Sequence, residues 1–172
     1  MKYTFTLIEQ DYIDFNIYYG WDRPEKYWSR IITRIFPVPV FVLLISKPFS
    51  HYSTPEFALI GFGLIASIFT TPYARWRNKL RSQKLLKSGK NDDLLGERTI
   101  EFAENVLKAT SNLSYGEMKW SSFEYLRETK DHLFLFQTVN QAIIIPKRIF
   151  SSEEEVTGVK VFLNLKLHHS SV

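Results

Sequence analysis

The 172 residues suffice for one ordinary domain with added elements, and are too few for two full-sized ones. The absence of cysteine excludes disulfide frameworks, thiolate metal sites and cysteine nucleophiles. A net charge of +4, from 22 Lys and Arg against 18 Asp and Glu, is a weak case for nucleic acid if it is spread evenly.

It is not spread evenly, and the mean hydropathy of -0.16 averages over very unequal segments. The opening MKYTFTLIEQDYIDF has no apolar h-region and no small-residue cleavage site, so no cleaved signal peptide is expected. Residues 2–7 alternate, with Tyr3, Phe5 and Leu7 on one side, which is the period of a half-buried strand. Thr6 and Glu9 then read as a capping box opening a helix with Ile8, Tyr12, Phe15 and Tyr19 on one face. Asp11 and Asp14 offer a pair of carboxylates for acid/base or metal chemistry. With no His or third acid near them in sequence, the expectation is a solvated face.

Two apolar runs follow. The first, IITRIFPVPVFVLLI at residues 31–45, has only twelve residues between Arg34 and Lys47. It becomes long enough to approach a span only if both long side chains snorkel to the headgroups. A buried core segment is the competing reading, and Pro37 and Pro39 are better tolerated in a membrane helix than in a soluble one. The second run, residues 57–74, is uncharged throughout and reaches about 27 Å as a helix at roughly 1.5 Å per residue. Its Gly61 and Gly63 would let another helix come close. The linker between the runs is rich in Pro, Ser and Thr.

From Arg75 to Lys90 there are seven Lys and Arg and no acid, namely Arg75, Arg77, Lys79, Arg81, Lys84, Lys87 and Lys90. The linker has only Lys47, offset by Glu56. The excess of positive charge predicts a helical hairpin with both termini cytoplasmic, and Arg75, Arg77, Lys79 and Arg81 as contacts to anionic lipid headgroups. Tyr27, Trp28, Tyr73 and Trp76 stand where an interfacial aromatic belt is expected. Nucleic-acid binding by the same basic helix would leave the adjoining uncharged stretch unexplained.

After GKNDDLLGE at residues 89–97 the pattern changes to short strands. Thr99–Phe102, Val106–Thr110, Leu113–Lys119, Ser122–Glu128, Leu133–Thr138 and Gln141–Ile145 are separated by turn chemistry, and predict an antiparallel sheet or barrel. Residues 2–7 are expected to add a seventh strand at its edge, making the hairpin an insertion in one split domain. Ser152 and Glu155 signal a C-terminal helix with acids at its positive end, expected to cover one end of the barrel with Val156, Val159, Phe162 and Leu163. The stretch VKVFLNLKL at 159–167 alternates as a strand would, and the cap and acidic first turn favour helix.

Taken together, DYIDFNIYY, the two apolar runs, the basic stretch ending KLLKSGK, the Trp120–Ser122 W-S-S, ETKDHLF at Glu128–Phe134 and IIIPKRIF at Ile143–Phe150 resemble the YcxB-like family of bacterial membrane proteins. The resemblance extends over nearly the whole chain. It implies an α+β membrane protein: two transmembrane helices in a hairpin, and a small antiparallel β domain similar to pleckstrin-homology folds with a C-terminal helix. It also implies a bacterial plasma membrane location, and supplies no activity. The expected layout is a strand and amphipathic helix at 1–29, spans at 30–47 and 57–74 around an external linker at 48–56, a basic helix and linker at 75–96, and a cytoplasmic domain at 97–172.

No catalytic constellation, phosphate loop or activated-serine motif is recognisable, so no enzyme activity and no cofactor is expected. His51, His132 and the tail pair His168 and His169 lack partners at ligand spacing, so no metal is expected either. Lys147 and Arg148, after Pro146, are a candidate anion site, with a solvated turn as the plainer reading. The leading expectation is a membrane-anchored binding or regulatory module whose β domain contacts a protein segment or a lipid headgroup. An accessory subunit packing through the hairpin against an unidentified protein is the alternative.

Overall fold

The protein is described by a computed structural model, for residues 1–35, 53–88 and 94–169. These form two compact units, one of residues 1–15 and 82–172, the other of residues 16–81.

The first unit is α+β. Strand β1 (Lys2–Leu7) leads into α1 (Glu9–Ile17), and the sheets are built later in the chain from β2 (Gly96–Phe102), β3 (Val106–Ser111), β4 (Tyr115–Lys119), β5 (Tyr125–Glu128), β6 (His132–Thr138) and β7 (Gln141–Pro146). Helix α4 (Glu153–His169) closes the chain. One sheet has the order β1-β2-β3-β4 and the other β5-β6-β7, all antiparallel. The N-terminal strand is thus an edge strand of the later sheet, Phe5 lying opposite Arg98 and Leu7 opposite Gly96. Gly96 has φ 106°, a conformation that an L side chain rarely adopts.

Alternation sets the core. Phe5 and Leu7 point inward with Ile100, Phe102 and Leu107, and meet Leu133, Leu135 and Ile145 of the second sheet. Strand β6 is buried from His132 through Phe136 because it is central in its sheet and covered on both faces. Leu133 and Leu135 join the core, while Phe134 and Phe136 meet Phe15 of α1 with ring centroids 5.4 and 6.1 Å apart. Val156, Val159, Leu163 and Leu167 of α4 enter the core, with Phe162 half-buried against it. The cap is as the sequence signals: Glu155 N–H donates to Ser152 Oγ at 3.3 Å, and Ser151 N–H to Glu155 Oε2 at 2.7 Å. The first helix differs. It starts at Glu9, Thr6 stays in β1, and Ile8 N–H donates to Asp11 Oδ2 at 2.9 Å, so Asp11 rather than the Thr6–Glu9 pair satisfies the helix start.

In the second unit, a turn of π-helix at Tyr18–Asp22 precedes α2 (Tyr27–Ile35), and α3 (Thr54–Leu86) is a 33-residue helix containing Pro72. A Cβ on Gly20 would stand 2.9 Å from the Asn78 amide, so the turn passes α3 at a distance only glycine permits without displacing that side chain. Asp22 holds Arg75 through both oxygens, at 2.9 and 3.1 Å, and Arg30 donates to the Trp21 and Arg23 carbonyls.

The expectation of a two-span membrane hairpin is corrected here. Among the described residues no helix is long and apolar enough to cross a membrane. Helix α2 has nine residues, about 13 Å at roughly 1.5 Å per residue, and contains Arg30 and Arg34. The uncharged stretch 57–74 is not an element of its own, since α3 carries it without a break into the basic segment. Within that stretch, Ser67 donates to the Arg34 carbonyl at 2.9 Å and Thr71 accepts from the Arg34 guanidinium at 3.0 Å. Residues 36–52, with most of the first apolar run and the linker, lie outside the described residues.

Candidate functional site

Three places on the molecule concentrate chemistry, and residues in two of them stand out in the sequence. The first is a buried ionic cluster. Asp11, on the first turn of α1, is 1% exposed, and its carboxylate accepts from Arg148 Nη1 at 2.5 Å, from Arg148 Nη2 at 2.6 Å and from His132 Nε2 at 2.8 Å. An ionised carboxylate only accepts, so the proton of the His132 ring facing it is on Nε2. The ring also stacks on Phe134, with centroids 5.5 Å apart and planes 8° from parallel. Burial alone would raise the Asp11 carboxyl; hydrogen bonds from Arg148, His132 and the Ile8 amide outweigh it and hold the group well below the usual carboxylate range. The sequence reading left Asp11 on a solvated face because its partners are 121 and 137 residues away. The missed signal is the KDHLF turn, which puts a histidine at the start of a central strand whose next four residues are Leu and Phe. Asp14 accepts a 2.7 Å hydrogen bond from Gln10.

This cluster also accounts for the proposed Lys147–Arg148 anion site. Arg148 is committed to Asp11 and to the Thr6 carbonyl. Lys147 donates to Glu128 at 2.6 Å, and Lys160 of α4 donates to the same carboxylate. Those hydrogen bonds, from Lys147 first and then Lys160, lower the Glu128 carboxyl.

The second place is α3. Phe62, Ile65, Phe69, Tyr73, Trp76 and Leu80 follow at spacings of three, four, four, three and four, so they form one stripe of the helix. All six are exposed, Phe62 to 71% and Trp76 to 55%. Of the four sequence-predicted cations, Arg75 is paired with Asp22, whereas Arg77, Lys79 and Arg81 are exposed. At 100° per residue Arg77 and Arg81 flank one side of the stripe and Lys79 the other. A Cβ on Gly61 would meet nothing within 4 Å, so no described helix packs there.

The third place is a cavity of about 490 Å³ in the first unit. Its lining includes Leu7, Ile100, Met118 and Ile143, with Thr110, Ser111, Gln137 and Asn140 among the polar groups; Arg98 is the one charged side chain among the described lining residues. No residue of α4 lines it, so the helix closes the core elsewhere.

Two antiparallel sheets, a late helix and a first strand borrowed from the far end of the chain define a split α+β domain. Residues 102–160 match the model of the family described as YcxB-like protein, so this chain carries a YcxB-like domain. The match spans the sequence from the end of β2 to the middle of α4, a smaller part than the resemblance read from sequence. Neither the curated proteins nor the solved structures give a match to the chain.

Proposed function

We propose that the protein is a lipid-surface binding module, in which the stripe on α3 and its flanking cations engage anionic headgroups and the YcxB-like domain is the part that recognises a further partner. The observation that carries this reading is the exposed apolar stripe flanked on both sides by Arg77, Arg81 and Lys79. Six large side chains in water are a standing cost, which burial in an interface removes at about 25 cal/mol per Å². Long cationic side chains beside such a stripe reach the headgroups while their stems cover apolar surface. Trp76 and Tyr73, amphipathic rings 5.9 Å apart, suit the same boundary. A second copy of the helix would cover the stripe too, but would set cations against cations, whereas an anionic surface complements them.

Sedimentation of the full chain with vesicles tests this, using phosphatidylcholine alone and phosphatidylcholine with phosphatidylglycerol. The anionic vesicles are expected to bind more tightly. The triple variant Arg77→Gln, Lys79→Gln, Arg81→Gln is expected to lose about 3 kcal/mol, at roughly 1 kcal/mol per cation near an anionic surface, or on the order of 100-fold in affinity at low salt. Equal binding to both vesicle types, unchanged in the triple variant, would refute the reading.

A further inference from the structure

The core of the β domain is filled unevenly. Leu107, Leu133, Ile145 and Leu163 are fully buried, whereas Ala109, Met118 and Ile143 pack against the same core, line the cavity and are only half-buried. The register gives the cause. On the core-facing side of the first sheet the row that begins Tyr3–Ile100 continues as Ala109 and Gly116. Protein interiors pack at crystal-like density, so a core face normally fills such a row with large side chains. Here its last two places are small, and a Cβ on Gly116 would meet nothing within 4 Å. In the second sheet the inward alternation Leu133–Leu135 of β6 and Ile145–Ile143 of β7 gives way to Gln137 and Gln141, which also line the cavity. Among the described residues no side-chain hydrogen bond occupies either amide.

The volume of about 490 Å³ lies in the range of small-molecule sites, which are mostly apolar with a few placed polar groups. The charge of an occupant is restricted too. Arg98 is the one charged side chain among the described lining residues, and it already interacts within the structure. An ion entering here gives up water and finds no free countercharge among those residues, which is costly. A neutral head that both donates and accepts hydrogen bonds matches the two amides, since each of them does both. We infer that the cavity binds a small uncharged amphiphile of the fatty-alcohol kind, its chain against Ile100, Ala109, Met118 and Ile143 and its hydroxyl at Gln137 and Gln141. This goes beyond lipid-surface binding and uses a different part of the chain.

The test uses the full chain and three probes of equal length, octanol, octanoate and octylammonium, each below its aggregation or solubility limit. The chain has two methionines, of which Met118 lines the cavity and Met1 does not, so carbon-13 methyl NMR reports the site directly. Octanol should shift the Met118 signal saturably, leave Met1 in place and bind about tenfold more tightly than either ion. Gln137→Leu with Gln141→Leu should weaken octanol about fivefold, the scale of one neutral hydrogen bond. Ala109→Leu fills the space and should abolish the octanol response. Gly116→Val, beside it in register and free of any clash at Cβ, should do the same and serves if Ala109→Leu does not fold. The triple cation variant of α3 should respond at Met118 like the parent, separating this site from vesicle binding. An unmoved Met118, an ion bound as tightly as octanol, or octanol binding that persists in a folded filling variant would overturn the inference.

Discussion

Asp11 accepts four hydrogen bonds, from Ile8, His132 and both terminal nitrogens of Arg148, and through them ties the N-terminal helix to β6 and to the turn after β7. Removing one member of such a cluster leaves the others buried without a partner, which costs more than the pair contributes. His132 is 3% exposed and cannot turn to water, whereas the Arg148 side chain is 46% exposed and can. Asp11→Ala should therefore cost about 2–4 kcal/mol in urea unfolding, and Asp14→Ala about 0.5 or less. The pH dependence has a definite sign. The native carboxyl is held below its ordinary value, so the unfolded chain takes up that proton at higher pH than the native protein does. The contribution is complete above the unfolded value of about 4 and is lost as the pH falls below it. The urea midpoint should drop from pH 5 to pH 2, and Asp11→Asn should drop less; parallel curves would rule out this role for Asp11.

Helix α4 shows what separates a legible element from an ambiguous one. The alternation in VKVFLNLKL puts Val159, Val161, Leu163, Leu165 and Leu167 on one side of a strand. A helix instead collects Val156, Val159, Leu163 and Leu167 and turns Val161 and Leu165 outward. The second set is the buried one. What decides is local: Ser152 and the three glutamates of the first turn stabilise a helix start and do nothing for a strand. Leu163→Ala should accordingly cost about 3 kcal/mol and Leu165→Ala about 0.5 or less; similar costs would contradict the helical face. The six later strands were legible for a related reason, since turn residues bound each of them. Their shifts in boundary, such as β5 starting at Tyr125 rather than Ser122, come from the Trp120–Ser122 turn, whose Trp120 is buried in the core. The spanning hairpin failed for a different reason. An uncharged run of the right length shows neither where its helix starts and stops nor what its serines and threonines will bind, and here α3 runs on while Ser67 and Thr71 engage Arg34. The Asp11 cluster was illegible because no local spacing encodes a contact across more than a hundred residues.

At the scale of the whole molecule, the β domain is assembled from both ends of the chain. Strand β1 has too few apolar groups to fold alone, and its alternation made the need for a partner readable; the register with β2 is what the structure adds. Phe5 and Leu7 fill the core, Tyr3 packs edge-on to Phe150 at 5.1 Å and donates to Glu155 at 3.0 Å, and α1 covers Phe134. Without residues 1–15 the later sheet would lose an edge strand, two core side chains and the carboxylate of the buried cluster, each worth a sizeable part of the roughly 5–15 kcal/mol that holds a domain together. The most direct measurement is thermal unfolding, with a proton–nitrogen NMR spectrum, of a fragment covering residues 94–172, alone and with residues 1–20 fused through a flexible linker. The fragment alone should melt without a cooperative transition and give a poorly dispersed spectrum, and the fusion should restore both; a cooperative, well-dispersed fragment that is unchanged by the N-terminal segment would contradict the split domain.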